Sequence, residues 1–222
     1  MAERKSNIKY YFTVEGECEE LYLDHLQTLI NSEEKSFYTV EIKSDVTSNL
    51  LKTAKSINPV TVPKIIYHLC DVEGIDDGDK TRFQDYLKDL KSVKNQKGLK
   101  YELGYSNFTF ELWMILHKMD CYGCLTHKGQ YLSFINKAYG QKFDSLKTFK
   151  KKENFKRCLE KIELSDIKAA IKRSKFIMAK RKANGDREIA YCTYKYYEDN
   201  PALTIWESVE KILEKCKLLQ KE

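Results

Sequence analysis

The chain has 222 residues, 42% hydrophobic and 32% charged, with a net charge of +6. That length suits one domain with a sizeable core, or one domain with a helical appendage. No apolar run nears the roughly 20 residues of a membrane span, and Met1 to Tyr10 lacks the apolar stretch of a signal peptide. No membrane association and a cytoplasmic location are therefore expected.

Ile8 to Val14 is β-branched and aromatic and stops at Glu15-Gly16, which predicts a buried strand. Glu17 to Ile30 carries apolar residues near helical spacing and ends at Asn31-Ser32. Tyr38 to Ile42 predicts a second strand, and Asn49 to Ile57 a short helix ended before Pro59. Lys64 to Cys70 is a strongly apolar run that ends at Asp71, as a central strand would. Asp79 to Val93 is amphipathic, and Lys100 to Tyr105, between Gly98 and Gly104, predicts a fourth strand. This alternation argues for a parallel sheet with helices on both faces.

The second half loses the strand pattern. Phe110 to Lys118, Gly129 to Tyr139, Glu153 to Lys161, Ser165 to Lys182 and Ala202 to Lys217 all read as helical, with Asn200-Pro201 opening the last. An α/β core over residues 1–118 and a mainly helical, basic portion over 119–222 are expected, packed as two parts or as one domain. The seven cysteines are scattered and odd in number, which suits free thiols.

The acids fall at informative places. Glu15 follows the first strand, Asp71 the third, Glu73 lies two residues on, and Glu111 opens a helix after the fourth. Parallel strands present their carboxyl ends along one edge, where ligands bind. Carboxylates gathered there repel one another and their pKa values rise; a hard divalent cation such as Mg²⁺ or Mn²⁺ relieves that conflict. Acids before helices are also ordinary caps, and Glu17, Glu19, Glu20, Asp76, Asp77 and Asp79 read that way.

Between Ser145 and Lys182 there are fourteen Lys/Arg and four acids. Lys168, Lys172, Arg173, Lys175, Lys180 and Arg181 recur along one predicted helix and are candidates for nucleic-acid phosphates, or simply a solvated face. Tyr191, Tyr194, Tyr196 and Tyr197 suit either base stacking or a strand face. His117, Cys121, Cys124 and His127 are legal zinc ligands, but their spacing matches no standard finger and zinc is disfavoured.

Four stretches together resemble the RloB (AbiLii-like) family of phage-defence proteins. They are Val14-Glu15-Gly16-Glu17-Cys18-Glu19-Glu20, Asp71-Val72-Glu73, Tyr105-Ser106-Asn107-Phe108-Thr109-Phe110-Glu111-Leu112-Trp113-Met114-Ile115-Leu116-His117, and Asn200-Pro201-Ala202-Leu203-Thr204. The third is the specific one. That family is similar to the Toprim fold, a Rossmann-like α/β arrangement whose strand-end acids hold Mg²⁺ for phosphodiester cleavage.

The resemblance implies a metal-dependent nuclease of RNA, tRNA included, or DNA. Glu15 would be the general acid/base and, with Asp71 and Glu73, a metal ligand, and Glu111 a further catalytic carboxylate. Glu73 stands where the family's pattern has Asp, and Phe108 where it has Pro. An ABC- or OLD-type ATPase partner is also implied; a homo-oligomer is left open. Ser106 and Asn107 would orient a carboxylate or phosphate, or cap the next helix. His117 would be a proton carrier or a core histidine. The alternative is a non-catalytic module that binds nucleic acid or the ATPase.

Overall fold

The computed structural model describes residues 5–47, 49–57, 65–74, 76–97 and 99–220. Pro59, Lys64 and Gly98, used above as strand and helix limits, lie outside them, as does the start of the chain through residue 4. The elements in order are β1 (Asn7–Val14), α1 (Glu17–Ser32), β2 (Thr39–Val46), α2 (Leu50–Ser56), β3 (Ile65–Asp71), α3 (Asp77–Lys97), β4 (Lys100–Asn107) and α4 (Glu111–Lys118). There follow α5 (Tyr131–Tyr139), α6 (Leu146–Phe149), α7 (Lys152–Leu159), α8 (Leu164–Ala183), β5 (Glu188–Tyr191), β6 (Tyr194–Tyr197), β7 (Ala202–Leu203) and α9 (Ile205–Lys215).

The main sheet has the order β2-β1-β3-β4-β7. The first four strands are parallel and β7 is antiparallel. The chain leaves β1 toward β2 on one side and returns to β3 on the other. Strand order therefore reverses at β1 and β3, and a crevice opens beyond their carboxyl ends.

Alternation along the strands divides the core into two layers. Phe12, Val14, Tyr67 and Leu69 face α1, α4, α5, α7, α8 and α9. Ile66, Cys70, Tyr101 and Tyr105 face α2, α3 and the β5-β6 hairpin. Leu26 of α1, Leu112 of α4, Ile135 of α5, Ile171 of α8 and Ile212 of α9 share one layer, so residues before and after position 118 are buried together. Gly104 permits α9 to lie close against β4: a Cβ there would sit 2.7 Å from Leu69 Cδ2 and 3.3 Å from the Ile205 Cα.

The second half is not free of strands. The tyrosine run forms β6, with Tyr196 and Tyr197 buried against the α3 layer, and the Tyr194 hydroxyl donates to the Tyr101 carbonyl. These rings serve packing. Asn200-Pro201 does not open the last helix either. Ala202 and Leu203 pair with Asn107 and Ser106 as β7, and α9 starts at Ile205. Asn200 instead clamps Leu125, accepting from its N–H at 2.7 Å and donating to its carbonyl at 2.6 Å.

Basic residues of α8 divide between structural and exposed. Arg181 is 8% exposed. It donates to the carbonyls of Pro201 and Asn200 and to Asp186. Arg173 bonds Asp120 and the carbonyls of Leu116 and His117, which end α4. Lys175 pairs with Glu210 at 2.7 Å, while Lys168, Lys172 and Lys180 are exposed. Arg181→Met should strand two buried carbonyls and an acid, and lower unfolding stability by about 2–4 kcal/mol. Lys172→Ala should leave the urea midpoint almost unchanged; equal losses in the two variants would contradict this division.

Candidate functional site

Glu15 leaves the end of β1 and Asp71 closes β3, on the two strands where the sheet order reverses. The two segments are tied: Glu15 Oε2 accepts from the Asp71 backbone N–H at 3.0 Å. A cavity of about 310 Å³ opens at this edge. Glu15, Glu17, Glu19, Asp71, Glu73 and Glu111 all line it, together with Lys150. Three segments far apart in sequence thus deliver carboxyl groups to one crevice, and a fourth adds Lys150.

Two helices start at the cavity. The α1 N-terminus contributes Gly16, Glu17 and Cys18, and the α4 N-terminus contributes Phe110 and Glu111. Neither helix has a side-chain cap at its N-cap residue. The partial positive charge of both helix starts, and the backbone N–H groups of Gly16 and Glu19 that bond the Glu19 carboxyl, offset part of the acidic crowding.

The offset is incomplete. Burial pushes the Glu15 carboxyl from 4.5 up to about 7, with Glu19 and Glu73 adding to the rise and the Asp71 N–H opposing it. Burial also raises Asp71 well above the usual carboxylate range, reinforced by Glu19, Glu15 and Glu111. Glu19 is raised by burial too, against the pull of backbone N–H groups and of Lys150. Burial alone would lower Lys150, but Glu111, Asp71 and Glu19 more than offset it and hold the ammonium above its ordinary value.

Glu111 carries the sharpest imbalance. It is 1% exposed. Its Oε1 lies 2.9 Å from Lys150 Nζ, whereas Oε2 is buried with no hydrogen-bond partner among the described residues. A buried carboxylate oxygen without a donor is costly and invites a cation. The donor set is all oxygen, as a hard cation requires. Among the described residues no three His, Cys, Asp or Glu side chains form a ready-made metal shell. Mg²⁺ needs none, since it usually takes one or two carboxylates and keeps its waters. The residues present fit such an ion.

Glu73 lines the cavity but is held in a left-handed conformation, with φ of 74°, and its carboxylate pairs with Lys128. Ser106 and Asn107 neither cap α4 nor reach the cavity lining. Ser106 Oγ donates to the Thr109 carbonyl at 2.8 Å, and Asn107 Nδ2 donates to the carbonyls of Tyr197 and Glu198. They hold the turn that leads into Glu111.

His117 is 1% exposed and lies in the core, not at the cavity. Its Nδ1 meets the Trp113 carbonyl at 2.8 Å and its Nε2 the Tyr22 hydroxyl at 3.3 Å. Burial lowers its pKa to about 4, so it stays neutral and structural. With both nitrogens engaged it is not free for zinc. Cys121 is buried whereas Cys124 is exposed.

Sequence reasoning missed Glu19 and Lys150 as members of the site. Glu19 resembles any first-turn acid, yet it is 7% exposed. The signal was its spacing: four residues after Glu15, on the turn that Gly16 opens. A Cβ at Gly16 would sit 3.1 Å from Glu19 Oε2, so glycine lets that carboxyl fold back over the helix start. Lys150 follows α6 and is one of fourteen basic residues in its segment, with nothing local to single it out.

No curated protein and no solved structure matches the chain. The family model of RloB-like proteins matches residues 10–212, a span that runs from within β1 into α9 and holds each acid of the cavity. The chain therefore belongs to the RloB-like family.

Proposed function

We propose that this protein is a divalent-cation-dependent nuclease of the Toprim-like kind, acting as an effector of phage defence in the cytoplasm. The observation that carries the reading is the gathering of Glu15, Glu19, Asp71 and Glu111 around one cavity at the sheet's carboxyl edge. RNA and DNA are both accommodated by the chemistry, and an ATPase of the ABC or OLD type is the partner proposed to restrain it.

Asp71 and Glu111 are the residues best suited to hold the ion, with Glu19 and Glu73 beside them. Mg²⁺ or Mn²⁺ bound there would supply Lewis-acid polarisation of a phosphodiester and a more acidic water. Glu15, with a pKa near 7, can take a proton from an attacking water at neutral pH and release it afterwards. Lys150 presents a fixed positive charge to a phosphate oxygen, and the α1 and α4 N-termini add N–H donors.

One observation favours the second reading, a non-catalytic module. Glu111 and Glu73 already have cationic partners in Lys150 and Lys128. Activity separates the two. Glu15→Gln should lower Mn²⁺-dependent cleavage of tRNA or single-stranded DNA by at least about 100-fold, with an unchanged circular dichroism spectrum. Cleavage at the wild-type rate would reject the assignment of Glu15.

Stability should report the same crowding without any substrate. The folded pKa of Glu15 lies above its ordinary 4.5, so the fold favours the neutral carboxyl. The associated stability is present below about pH 4.5 and is lost as pH rises through about 7. Glu15→Gln should therefore raise the Tm at pH 8 by roughly 3–10 °C and change it little at pH 4.5. Equal shifts at both pH values would contradict the raised pKa.

Mn²⁺ at saturating concentration should raise the wild-type Tm by roughly 5 °C at pH 8 and by less at pH 5.5, where the acids hold protons. Asp71→Asn should remove most of that rise in differential scanning fluorimetry. A rise of the same size in the variant would place the ion elsewhere.

A further inference from the structure

Away from the acidic cavity, α8 carries a second feature. Lys168, Lys172, Phe176 and Lys180 follow one another at four-residue intervals and all are exposed. That spacing places them in one stripe along a helix face. The opposite face, with Ile167, Ala170, Ile171, Ser174, Ile177 and Arg181, is buried.

Phe176 is 51% exposed and sits between Lys172 and Lys180, one turn away on each side. The other exposed large apolar side chains among the described residues are of a different kind. Val46 and Ile65 lie at strand ends, and Phe37, edge-on to Tyr38, has the Lys217 ammonium 3.9 Å over its ring. Phe176 instead packs against Tyr122, with ring centroids 4.8 Å apart and planes at 48°. The two rings make a platform bordered by lysines.

Tyr122 is tethered to α8 through Asp120 as well as through the ring contact. The Tyr122 hydroxyl donates to Asp120 at 3.1 Å, and Asp120 accepts from Arg173 at 2.8 Å. Arg173 in turn ends α4.

The charge around the platform is also sorted. Asp120, Glu210, Asp186 and Asp166 pair with Arg173, Lys175, Arg181 and Lys118. Lys168, Lys172 and Lys180 have no ion-pair partner among the described residues. The stripe is thus uncompensated positive charge interleaved with an aromatic surface.

We propose that this stripe docks single-stranded nucleic acid, with an unpaired base on the Phe176–Tyr122 platform and backbone phosphates on Lys168, Lys172 and Lys180. Lysine with aromatic platforms is the chemistry of strand binding without sequence readout; a paired base keeps its face in the duplex stack and cannot use the ring. The location serves the nuclease reading, on which this inference rests for its purpose. Helix α4 runs from Glu111 at the cavity to the Leu116 and His117 carbonyls that Arg173 caps, roughly 9 Å away at 1.5 Å per residue.

The test is fluorescence anisotropy on the full chain with a labelled oligo(U) 20-mer and a duplex of equal length, in EDTA so that cleavage plays no part. The single strand should bind at least about 10-fold tighter than the duplex at low salt. Phe176→Ala should weaken strand binding by about 5- to 150-fold, the range of one lost stacking contact, and leave duplex binding nearly unchanged. Lys172→Gln with Lys180→Gln should weaken both and reduce the salt slope by about 1.4 for the strand.

These side chains are exposed, so a fold check by Tm keeps the comparison clean. Strand affinity indifferent to Phe176→Ala would overturn the platform. Binding to phosphatidylserine vesicles but not to either oligonucleotide would make the stripe a membrane contact and overturn the proposal. Loss of cleavage in Glu15→Gln with strand binding intact would leave this inference standing, whereas intact cleavage with no Phe176 dependence would sink it alone.

Discussion

Carboxyl groups brought together in a half-buried crevice repel one another, and the rest of this structure is arranged around that conflict. It originates in topology. The chain crosses from β1 to β2 on one side and returns to β3 on the other, so Glu15 and Asp71 end adjacent strands. Helices α1 and α4 start at the same edge and add Glu19 and Glu111. Helix ends, one lysine and raised pKa values offset the repulsion only in part. A fold chosen for stability alone would place apolar residues there. Keeping four acids in the crevice is the kind of local violation that marks a site with a task.

The acids at strand ends were legible because strand ends are themselves legible. A β-branched run that stops at an acid announces both the element and its edge, which is why Glu15, Asp71 and Glu111 could be placed in one crevice before any coordinates. Glu19 was hard to separate from Glu17 and Glu20, since all three sit in the first turn of α1; only its spacing from Glu15 hinted at the difference, and burial makes it plain. Lys150 reaches Glu111 across thirty-nine positions of sequence. No periodicity encodes such a contact.

The same limit explains the basic residues. Charge count treats Lys172 and Arg181 alike, yet one is exposed and the other is a buried pin for the chain around Asn200 and Pro201. Arginine suits that role because its planar fork satisfies several carbonyls at once. Lysine, with a flexible stem and one charged tip, is left on the solvent side. The short β7 escaped for a related reason, and the strand face offered for the tyrosines could not be separated from stacking. Two residues of pairing carry no alternation, and tyrosines alternate equally well for packing or for stacking.

Helix α4 joins the two surfaces that matter. Its first residue puts the half-partnered Glu111 carboxylate into the cavity, and its last carbonyls bond Arg173 under the Tyr122–Phe176 rings. Between them Leu112, Trp113, Met114, Ile115 and Leu116 are all buried, so the helix is a rigid rod fixed in the core and not a surface element free to tilt. His117 adds to this by bonding Tyr22 of α1, the other helix that starts at the cavity. A rod buried along its length keeps the Glu111 carboxylate and the carbonyls that bond Arg173 at a constant spacing. On the proposed reading, a strand bound at both surfaces would meet the Glu111 carboxylate in one register, and positioning of this sort needs no moving part.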